Sequence, residues 1–354
     1  MSGWFANKTF GFLKMVKRIL LVVLFIVIAL VIWQWQWVVY GVRMGKGQLT
    51  IIWNARPVEE FLADPNFPDS LKAKLHLIEE IRRFAIDSLG LKDTKNYKTL
   101  FDQKGEELMW VVQACGEFEL KPKLWHYPIV GNMPYKGFFE KEKAVAEAKA
   151  LKEQGFDVSV RNPGGWSTLG WFTDPILSNM LKRSEGDLAS LILHEMVHST
   201  IFIKGDADYN ENLASFIGDT ASYYFLANKY GLQSKEYQQY RHEDQDYRKY
   251  SKHILRGTKI LDSLYKSFSL SETQEEKQKK KEAMIRKIIE SGDTISLFEK
   301  RDSKSIQRMP NNTYFMSYHL YQAKQQDFAN ELGQKFQGNL REYISYLAKT
   351  YPFL

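Results

Sequence analysis

An uncharged apolar run near the N-terminus constrains the fold of this chain more than any other feature. "ILLVVLFIVIALVIW" covers residues 19–33 without a charge, and Val16 and the aromatic group from Trp33 to Tyr40 extend it. The extended run reaches the roughly 20 residues that a membrane-spanning helix needs. Bulky tryptophans follow it where a signal-peptide cleavage site would need small residues. We therefore expect an uncleaved single transmembrane helix over residues 16–40, after a cytoplasmic flank over residues 1–15.

The charges on either side of this run predict the orientation of the chain. Lys14, Lys17 and Arg18 precede the apolar residues, and Arg43 and Lys46 follow them. Because positive charge is retained on the cytoplasmic side, the N-terminus is expected in the cytoplasm. Residues 41–354 then form one folded domain on the outer face of the membrane, and they are numerous enough to bury a sizeable core.

The net charge of +7 does not by itself indicate a nucleic-acid partner. The basic residues concentrate in the N-terminal flank and in "EEKQKKKEAMIRK" at 275–287, where acids and bases mix as on a solvated helix. No nucleic-acid-binding motif accompanies them. We therefore expect no nucleic-acid partner.

Cys115 is the only cysteine, which excludes an intrachain disulfide and a cysteine-based metal site. It ends the strand-like run "LMWVVQAC" at 108–115 and is expected to be a small buried residue.

Apolar periodicity predicts an α+β fold that is mostly helical. Helices are expected at 57–64, 68–89 and 138–155, strands within 106–130 and at 156–161, and a turn with an extended segment at 162–172. After Asp187 the chain is almost wholly helical in pattern. The prediction is one small sheet from residues 106–172, packed on a helix that contains His194. A helical C-terminal lobe would form the far wall of a cleft.

The segment "LILHEMVHST" at 191–200 carries the strongest chemical signal. His194 and His198 are four residues apart, so on a helix they share one face, and Glu195 lies one step round. Two histidine ligands with a carboxylate beside an open position are typical of a hydrolytic zinc centre. The alternative is a core helix with two hydrogen-bonded histidines.

A third ligand is expected thirteen residues after His198. "YNENLASFIGD" at 209–219 begins a second helical pattern, and "KGDAD" at 204–208 is a suitable turn before it. Glu211, near the start of that helix, can complete a His-His-Glu site for one Zn²⁺. Alternatively, Glu211 is an acidic residue that interacts with the helix dipole.

The residues from "HEMVH" to "NENLASFIGD" resemble the glutamate-zincin metallopeptidases, and more closely a bacterial zinc aminopeptidase family. The resemblance covers about residues 38–350 and extends to four further blocks, at 37–65, 127–139, 164–181 and 310–321. It implies a zincin-like fold, zinc, and peptide-bond hydrolysis by an exported or membrane-attached protein. The implied location is the bacterial inner membrane, with the catalytic domain on the periplasmic side.

The same resemblance implies roles for individual residues. Glu195 would act as the general base, and a downstream Tyr or His would stabilise the oxyanion. Tyr314, Tyr318 and His319 are the candidates, and Tyr318 ranks first because it falls in the matching block. The helical spacing of Tyr314, Tyr318 and Tyr321 equally suits core or wall residues.

Two departures from the family pattern affect these expectations. Relatives begin with a lipoprotein signal, whereas no cysteine lies near this span, so the protein helix is expected to be the anchor. In better-known glutamate-zincins an aspartate four residues after the ligand glutamate supports the first histidine. Ser215 stands there in this chain, and Asp219 is the expected substitute.

Several other residues have both a functional and a structural interpretation. "NPGGWSTLGWF" at 162–172 suits an edge strand for a substrate or a packed turn. Asp174 could receive a substrate amine or cap a helix, and Asn311 and Asn312 could bind substrate backbone or cap the helix that follows.

The sequence thus predicts a membrane-anchored zinc peptidase with a peptide substrate, an aminopeptidase with a zinc endopeptidase as the alternative. The alternative from another class is a non-catalytic, zinc-stabilised module for envelope binding or assembly. Glu195 argues against that module, because a structural site has no use for a base beside an open position. The oligomeric state is left open.

Overall fold

The computed structural model describes residues 2–127, 131–163, 173–306 and 308–351. The chain divides into two compact units between Trp53 and Asn54.

The first unit consists of two helices, α1 at Ser2–Trp33 and α2, which begins at Trp35 and continues to Asn54. Residues Met15–Trp33 form a helix long and apolar enough to cross a membrane, and a signal sequence near the N-terminus meets the same criteria. The apolar part ends at Trp33, whereas the expected anchor extended to Tyr40. Residues 35–40 belong to α2, which begins one residue after α1 ends.

The second unit is mostly helical. Its helices after the first two are α3 Val58–Ala63, α4 Asp69–Asp87, α5 Lys141–Glu153, α6 Glu185–His198, α7 Ala207–Tyr230, α8 Lys235–Lys266, α9 Gln274–Ser291, α10 Asn312–Gln322, α11 Gln325–Phe336 and α12 Leu340–Thr350. Short 3₁₀ turns occur at Ser178–Lys182, Gly292–Thr294 and Ser303–Ser305. The strands are β1 Arg56–Pro57, β2 Thr99–Phe101, β3 Trp110–Gly116, β4 Trp125–Tyr127, β5 Gly131–Met133, β6 Lys136–Phe138, β7 Phe156–Arg161 and β8 Ile176–Leu177.

The strands do not form the single sheet that the sequence predicts. In the described ranges they form three small sheets, ordered β1-β2-β8, β6-β3-β7 and β4-β5. In the central sheet β3 is antiparallel to both neighbours, with Val111 opposite Gly137 on one side and Arg161 on the other. β1 and β2 also lie outside the predicted range of 106–172. The expectation of one sheet was therefore wrong, while the α+β, mostly helical class is confirmed.

The packing of α6 against α7 is the centre of the larger core. Apolar side chains of both helices are buried there, including Leu188, Ile192 and Leu193 of α6 and Leu213 and Ile217 of α7. Gly218 permits this contact. A Cβ atom at Gly218 would lie 3.0 Å from the Ser190 carbonyl oxygen and 3.1 Å from the His194 nitrogen, closer than ordinary van der Waals contact.

A second core joins α8, α9 and α10 and supports the C-terminal helices. Phe315 of α10 is fully buried between Ile254 and Leu261 of α8 and Ile285 of α9. This core holds α10 beside α7. Although α8 and α9 separate these two helices in the sequence, α10 therefore lies close to His194.

Candidate metal centre

Helix α6 begins and ends where its sequence requires. Ser184 is the N-cap, and its hydroxyl accepts a hydrogen bond from the Asp187 backbone N–H at 3.2 Å. The helix ends at His198, so His194 and His198 lie in its last two turns. Since the other sides of the helix are buried in the core, the two imidazoles share the remaining face.

The turn between α6 and α7 is fixed by polar side chains. Asp206 caps α7 by accepting from the Tyr209 backbone N–H at 2.9 Å. The buried Asn210 amide bonds both backbone groups of Ile203, at 2.8 and 2.9 Å. These bonds set the position of Glu211 relative to the histidines.

The three side chains predicted as ligands converge at one point. The Nε2 atoms of His194 and His198 are 3.1 Å apart, and Glu211 Oε2 lies 3.3 Å from the first and 3.6 Å from the second. All three donor atoms lie within 4.8 Å of one another, and the set could hold a metal ion. Two imidazole nitrogens and one carboxylate oxygen match the three-ligand set of catalytic zinc sites.

The site also contains two carboxylates with opposite pKa shifts. Burial disfavours the charged form of Glu211, but the imidazoles of His198 and His194 hold its pKa well below the usual range. Burial raises the pKa of Glu195, and this effect outweighs the attraction of His194 and His198. Glu211 is therefore the charged ligand, while Glu195 has the stronger affinity for a proton.

Helix α10 brings a tyrosine to this cluster. The ring of Tyr321 lies 6.4 Å from the His194 ring, centroid to centroid. Burial and the charge on Glu211 raise the pKa of the Tyr321 hydroxyl. Tyr135 belongs to the same group, because burial and the charges on Glu211, Tyr321 and Glu195 raise its pKa well above the usual value.

One residue ties the ligand helix to this tyrosine. Asn212, which follows Glu211 and is fully buried, donates to the backbone oxygens of His319 at 3.1 Å and Leu320 at 2.7 Å. Its side-chain oxygen accepts from the Lys324 backbone N–H at 2.9 Å. The position of Tyr321 is thereby set by the residue next to a candidate ligand.

Comparison with known proteins shows that a protein-family model covers most of this chain. The family model described as "Putative aminopeptidase" matches residues 39–351. This chain belongs to that family. The resemblance predicted from the sequence over about residues 38–350 is confirmed, while no curated protein and no solved structure matches.

The first-ranked oxyanion candidate of this aminopeptidase-family chain, Tyr318, lies in different surroundings from Tyr321. Its hydroxyl is 3.4 Å from that of Tyr314, and its ring packs against Tyr250 and Tyr247. No described contact joins it to the three ligand residues. Sequence spacing places Tyr314, Tyr318 and Tyr321 on one helical stripe, but only the tertiary packing separates the last from the first two.

The candidate His319 also points away from the ligand set. Its Nδ1 lies 3.3 Å from Asp208 Oδ1, and Lys324 pairs with the same carboxylate at 2.8 Å. Both Asp208 and His319 line a cavity of about 760 Å³ whose wall contains none of the three ligands. His319 is therefore part of a separate polar cluster beside the first turn of α7.

The side chains that orient the histidines differ from expectation. Ser215 Oγ lies 3.5 Å from His194 Nδ1, so serine itself occupies the supporting position. Asp219, the expected substitute, accepts instead from Ser190 at 2.8 Å and from Tyr240 at 3.3 Å. Burial and the nearby Asp244 raise the pKa of Asp219 to about 6. His198 Nδ1 is buried without a hydrogen-bond partner in the described ranges.

The asparagines at the start of α10 have a structural role in this family member. Asn311 is the N-cap and accepts from the Thr313 backbone N–H at 3.0 Å. Asn312 is fully buried, donates to the Gly116 carbonyl at 2.8 Å and accepts from the Tyr265 hydroxyl at 2.7 Å. Both residues fix α10 against the central sheet, which favours the capping interpretation.

Three further predictions from the sequence concern Asp174, the segment at 162–172 and Cys115. Asp174 is fully buried, and its backbone N–H donates to Asn96 Oδ1 at 3.0 Å. Residues 164–172, which include most of the predicted edge strand, lie outside the described residues. Cys115 is fully buried as expected, and burial raises the pKa of its thiol to about 12.

Sequence reasoning did not identify Tyr97 as a residue near Glu195. Tyr97 is buried, its hydroxyl has no hydrogen-bond partner among the described residues, and its φ of 63° is left-handed. Burial and the charges on Glu195 and Asp174 raise its pKa. A bulky residue with positive φ is uncommon and marks a backbone held by its surroundings.

Proposed function

We propose that this chain is a membrane-anchored, zinc-dependent peptidase that acts as an aminopeptidase. The observation that carries the proposal is the convergence of His194, His198 and Glu211 within 4.8 Å, beside a glutamate with a raised pKa. The family description supports peptide substrates. His194, His198 and Glu211 are the proposed ligands of one Zn²⁺, whose usual donor set they match.

Glu195 is the proposed general base. When bound, zinc supplies Lewis acidity that activates a water molecule and polarises the peptide carbonyl. The Glu195 carboxylate takes the proton of the attacking water and delivers it to the leaving amine. Burial suits this role, because it raises the proton affinity of the carboxylate towards the working pH.

Tyr321 is the proposed donor to the developing oxyanion. Its ring packs beside His194, whereas Tyr318 is bonded within the helical cluster. A neutral tyrosine hydroxyl can donate a hydrogen bond to negative charge that forms during the reaction. Tyr135, on the β5–β6 segment, is a second candidate hydroxyl, because the charges on Glu211 and Glu195 act on it.

The helix at Met15–Trp33 supports attachment to a membrane. We infer that it anchors the protein in the bacterial inner membrane, with the second unit on the periplasmic side, because Lys14, Lys17 and Arg18 lie at its N-terminal end and only Arg43 and Lys46 follow it.

The zinc assignment is tested by counting metal per chain in the full-length protein purified in detergent. About one zinc per wild-type chain is expected, with loss in His198→Ala and Glu211→Ala because each variant removes a donor. His76→Ala, an exposed histidine of α4, is the matched control and should retain the metal. Folded wild-type protein that binds no zinc would contradict the ligand assignment.

The catalytic assignment is tested with Glu195→Gln. This variant should retain zinc and lose peptide cleavage by about 10²-fold to 10⁴-fold, the usual contribution of a general base. Unchanged activity in Glu195→Gln would favour the alternative of a non-catalytic, zinc-stabilised binding or assembly module.

Blocked substrates separate the two kinds of peptidase. An aminopeptidase should cut a peptide with a free N-terminus and leave the same peptide intact once it is N-acetylated. Equal cleavage of both peptides would establish an endopeptidase instead.

A further inference from the structure

Arg161 ends strand β7 and is held in a fixed orientation. It lies opposite Val111 in the antiparallel pairing of β7 with β3. Its Nε donates to the side-chain oxygen of Gln113 at 3.0 Å, and Gln113 is itself buried. This bond fixes the plane of the guanidinium, and the terminal nitrogens keep N–H groups beyond the one that bonds the Tyr321 hydroxyl.

Arg161 differs in its charge balance from Arg82 and Arg248, which lie in ion pairs. Arg82 pairs with Glu79 and Asp93, and Arg248 pairs with Asp244. In the described ranges no carboxylate pairs with Arg161, and its hydrogen-bond partners are the neutral groups of Gln113 and Tyr321. A half-buried cation without a counter-ion is costly unless a ligand supplies the negative charge.

The guanidinium faces the tyrosines of the candidate site. The guanidinium is hydrogen-bonded to the Tyr321 hydroxyl, and its positive charge opposes the rise that burial causes in the pKa of Tyr321 and of Tyr135. Tyr321 in turn packs beside His194. Arg161 is thus one side chain away from the ligand set, on the side where the hydroxyls lie.

A carboxylate fits this position better than other anions in the setting of a peptidase. The edge formed by the two terminal nitrogens of a guanidinium matches a carboxylate in a bidentate pair. A peptide carries such groups at its C-terminus and on acidic side chains. The nearby tyrosine hydroxyls add donors for the same group.

We propose that Arg161 binds a carboxylate of the peptide substrate, with Gln113 as the positioning residue that holds the guanidinium. The inference rests on the proposed peptidase function and specifies its substrate class. The carboxylate is either the free C-terminus of a short peptide or an acidic side chain near the cleaved bond. Short peptides and acidic peptides are then preferred over neutral, C-terminally amidated ones.

The test uses three tripeptides that differ only in their carboxylates. They are Ala-Ala-Ala with a free C-terminus, its C-terminal amide, and an amide in which aspartate replaces the last alanine. Full-length, zinc-loaded protein in detergent should cleave one or both carboxylate-bearing peptides with a kcat/KM about 10-fold to 100-fold above that of the neutral amide. Preference for the first peptide identifies a C-terminal carboxylate, and preference for the third identifies an acidic side chain.

Variants assign the preference to the guanidinium. Arg161→Gln should lower kcat/KM for the preferred peptide by a factor about 10-fold to 100-fold larger than the factor for the neutral amide. Arg161→Lys should retain part of the preference, because a point charge replaces the bidentate fork. Arg83→Gln, which removes an exposed arginine of α4, is the matched control and should leave the preference intact.

A binding measurement separates this inference from the peptidase assignment. Calorimetric titration of the three peptides into Glu195→Gln should show the same preference, and its loss in Glu195→Gln with Arg161→Gln would support Arg161 even without turnover. Cleavage by wild type at equal rates for all three peptides would overturn the role of Arg161 and leave the peptidase in place. Equal losses for all three peptides in Arg161→Gln would also overturn it, because they indicate a structural effect.

Discussion

Tyr318 and Tyr321 lie within one helical turn on α10, yet only Tyr321 packs beside a candidate ligand. Tyr321→Phe should therefore lower kcat by about 10²-fold, since removal of one oxyanion donor typically costs this much. Zinc content and KM should change little. Tyr318→Phe is the matched control, and steady-state kinetics with metal counts on both variants make the comparison. A larger loss in Tyr318→Phe than in Tyr321→Phe would restore Tyr318 as the donor.

Asp219 gives a second prediction at the scale of single residues. Its pKa is raised from 3.8 to about 6, so the folded state favours the neutral carboxyl. Stability from this group is complete below about pH 4, falls as the pH rises towards 6, and stays lost above it. Asp219→Asn removes this dependence. The free energy of unfolding of the variant minus that of wild type should therefore be higher at pH 7 than at pH 4, by on the order of 2 kcal/mol. Urea unfolding with chelator at both pH values measures the difference, and an equal difference at both would contradict the prediction.

The candidate ligands were predictable from the sequence because helical spacing alone places His194, Glu195 and His198. Glu211 was predictable because the turn before α7 is short. Tyr321 and Arg161 were not, because α10 and β7 reach the site through contacts far apart in the chain. Periodicity shows which residues share a helical face, but it does not show which neighbour that face meets.

Helices α6 and α7 depend on Gly218 for their close approach. Gly218→Ala would place a Cβ atom 3.0 Å from the Ser190 carbonyl and 3.2 Å from His194 Cβ. The helices must separate, which should destabilise the fold by about 1–3 kcal/mol and move His194 relative to Glu211. Zinc affinity is then expected to fall by about 10-fold or more. Competition with a chelating dye gives the affinity.

Gly333→Ala is the control for that substitution. Gly333 is also helical, but a Cβ atom there meets nothing within 4 Å. The variant should be stabilised by about 0.5–1 kcal/mol, because alanine has the higher helix propensity, and its zinc affinity should equal that of wild type. Similar zinc affinities for Gly218→Ala and wild type would show that the helix contact does not set the site.

Among the elements, long helices were predictable and short strands were not. Helix α4 was expected at 68–89 and occupies Asp69–Asp87, since its apolar spacing persists over five turns. Most strands of the three sheets have only two or three residues, too few for alternation to develop. Their pairing is decided by the helices packed around them.

At the scale of the whole molecule, the helix at Met15–Trp33 makes membrane attachment testable. Full-length protein should remain in membranes washed with alkaline carbonate and should dissolve in detergent. The double variant Leu24→Arg with Ile28→Arg should lose this attachment, because each central arginine costs about 2.5–3.5 kcal/mol on insertion. The intact mass of wild type should correspond to the whole chain. A mass that lacks roughly the first 30 residues would contradict the anchor, because it would indicate a cleaved, secreted form.

The contact made by Asn212 has a consequence for how the two halves of the site respond to ligands. Its amide joins the turn that carries Glu211 to the backbone just before Tyr321, with bonds of 2.7 and 3.1 Å. An occupant that draws Tyr321 into a new position therefore acts on Glu211 as well. Thermodynamic reciprocity then requires that a peptide analogue tighten or weaken metal binding by the same factor by which the metal changes the affinity of the analogue.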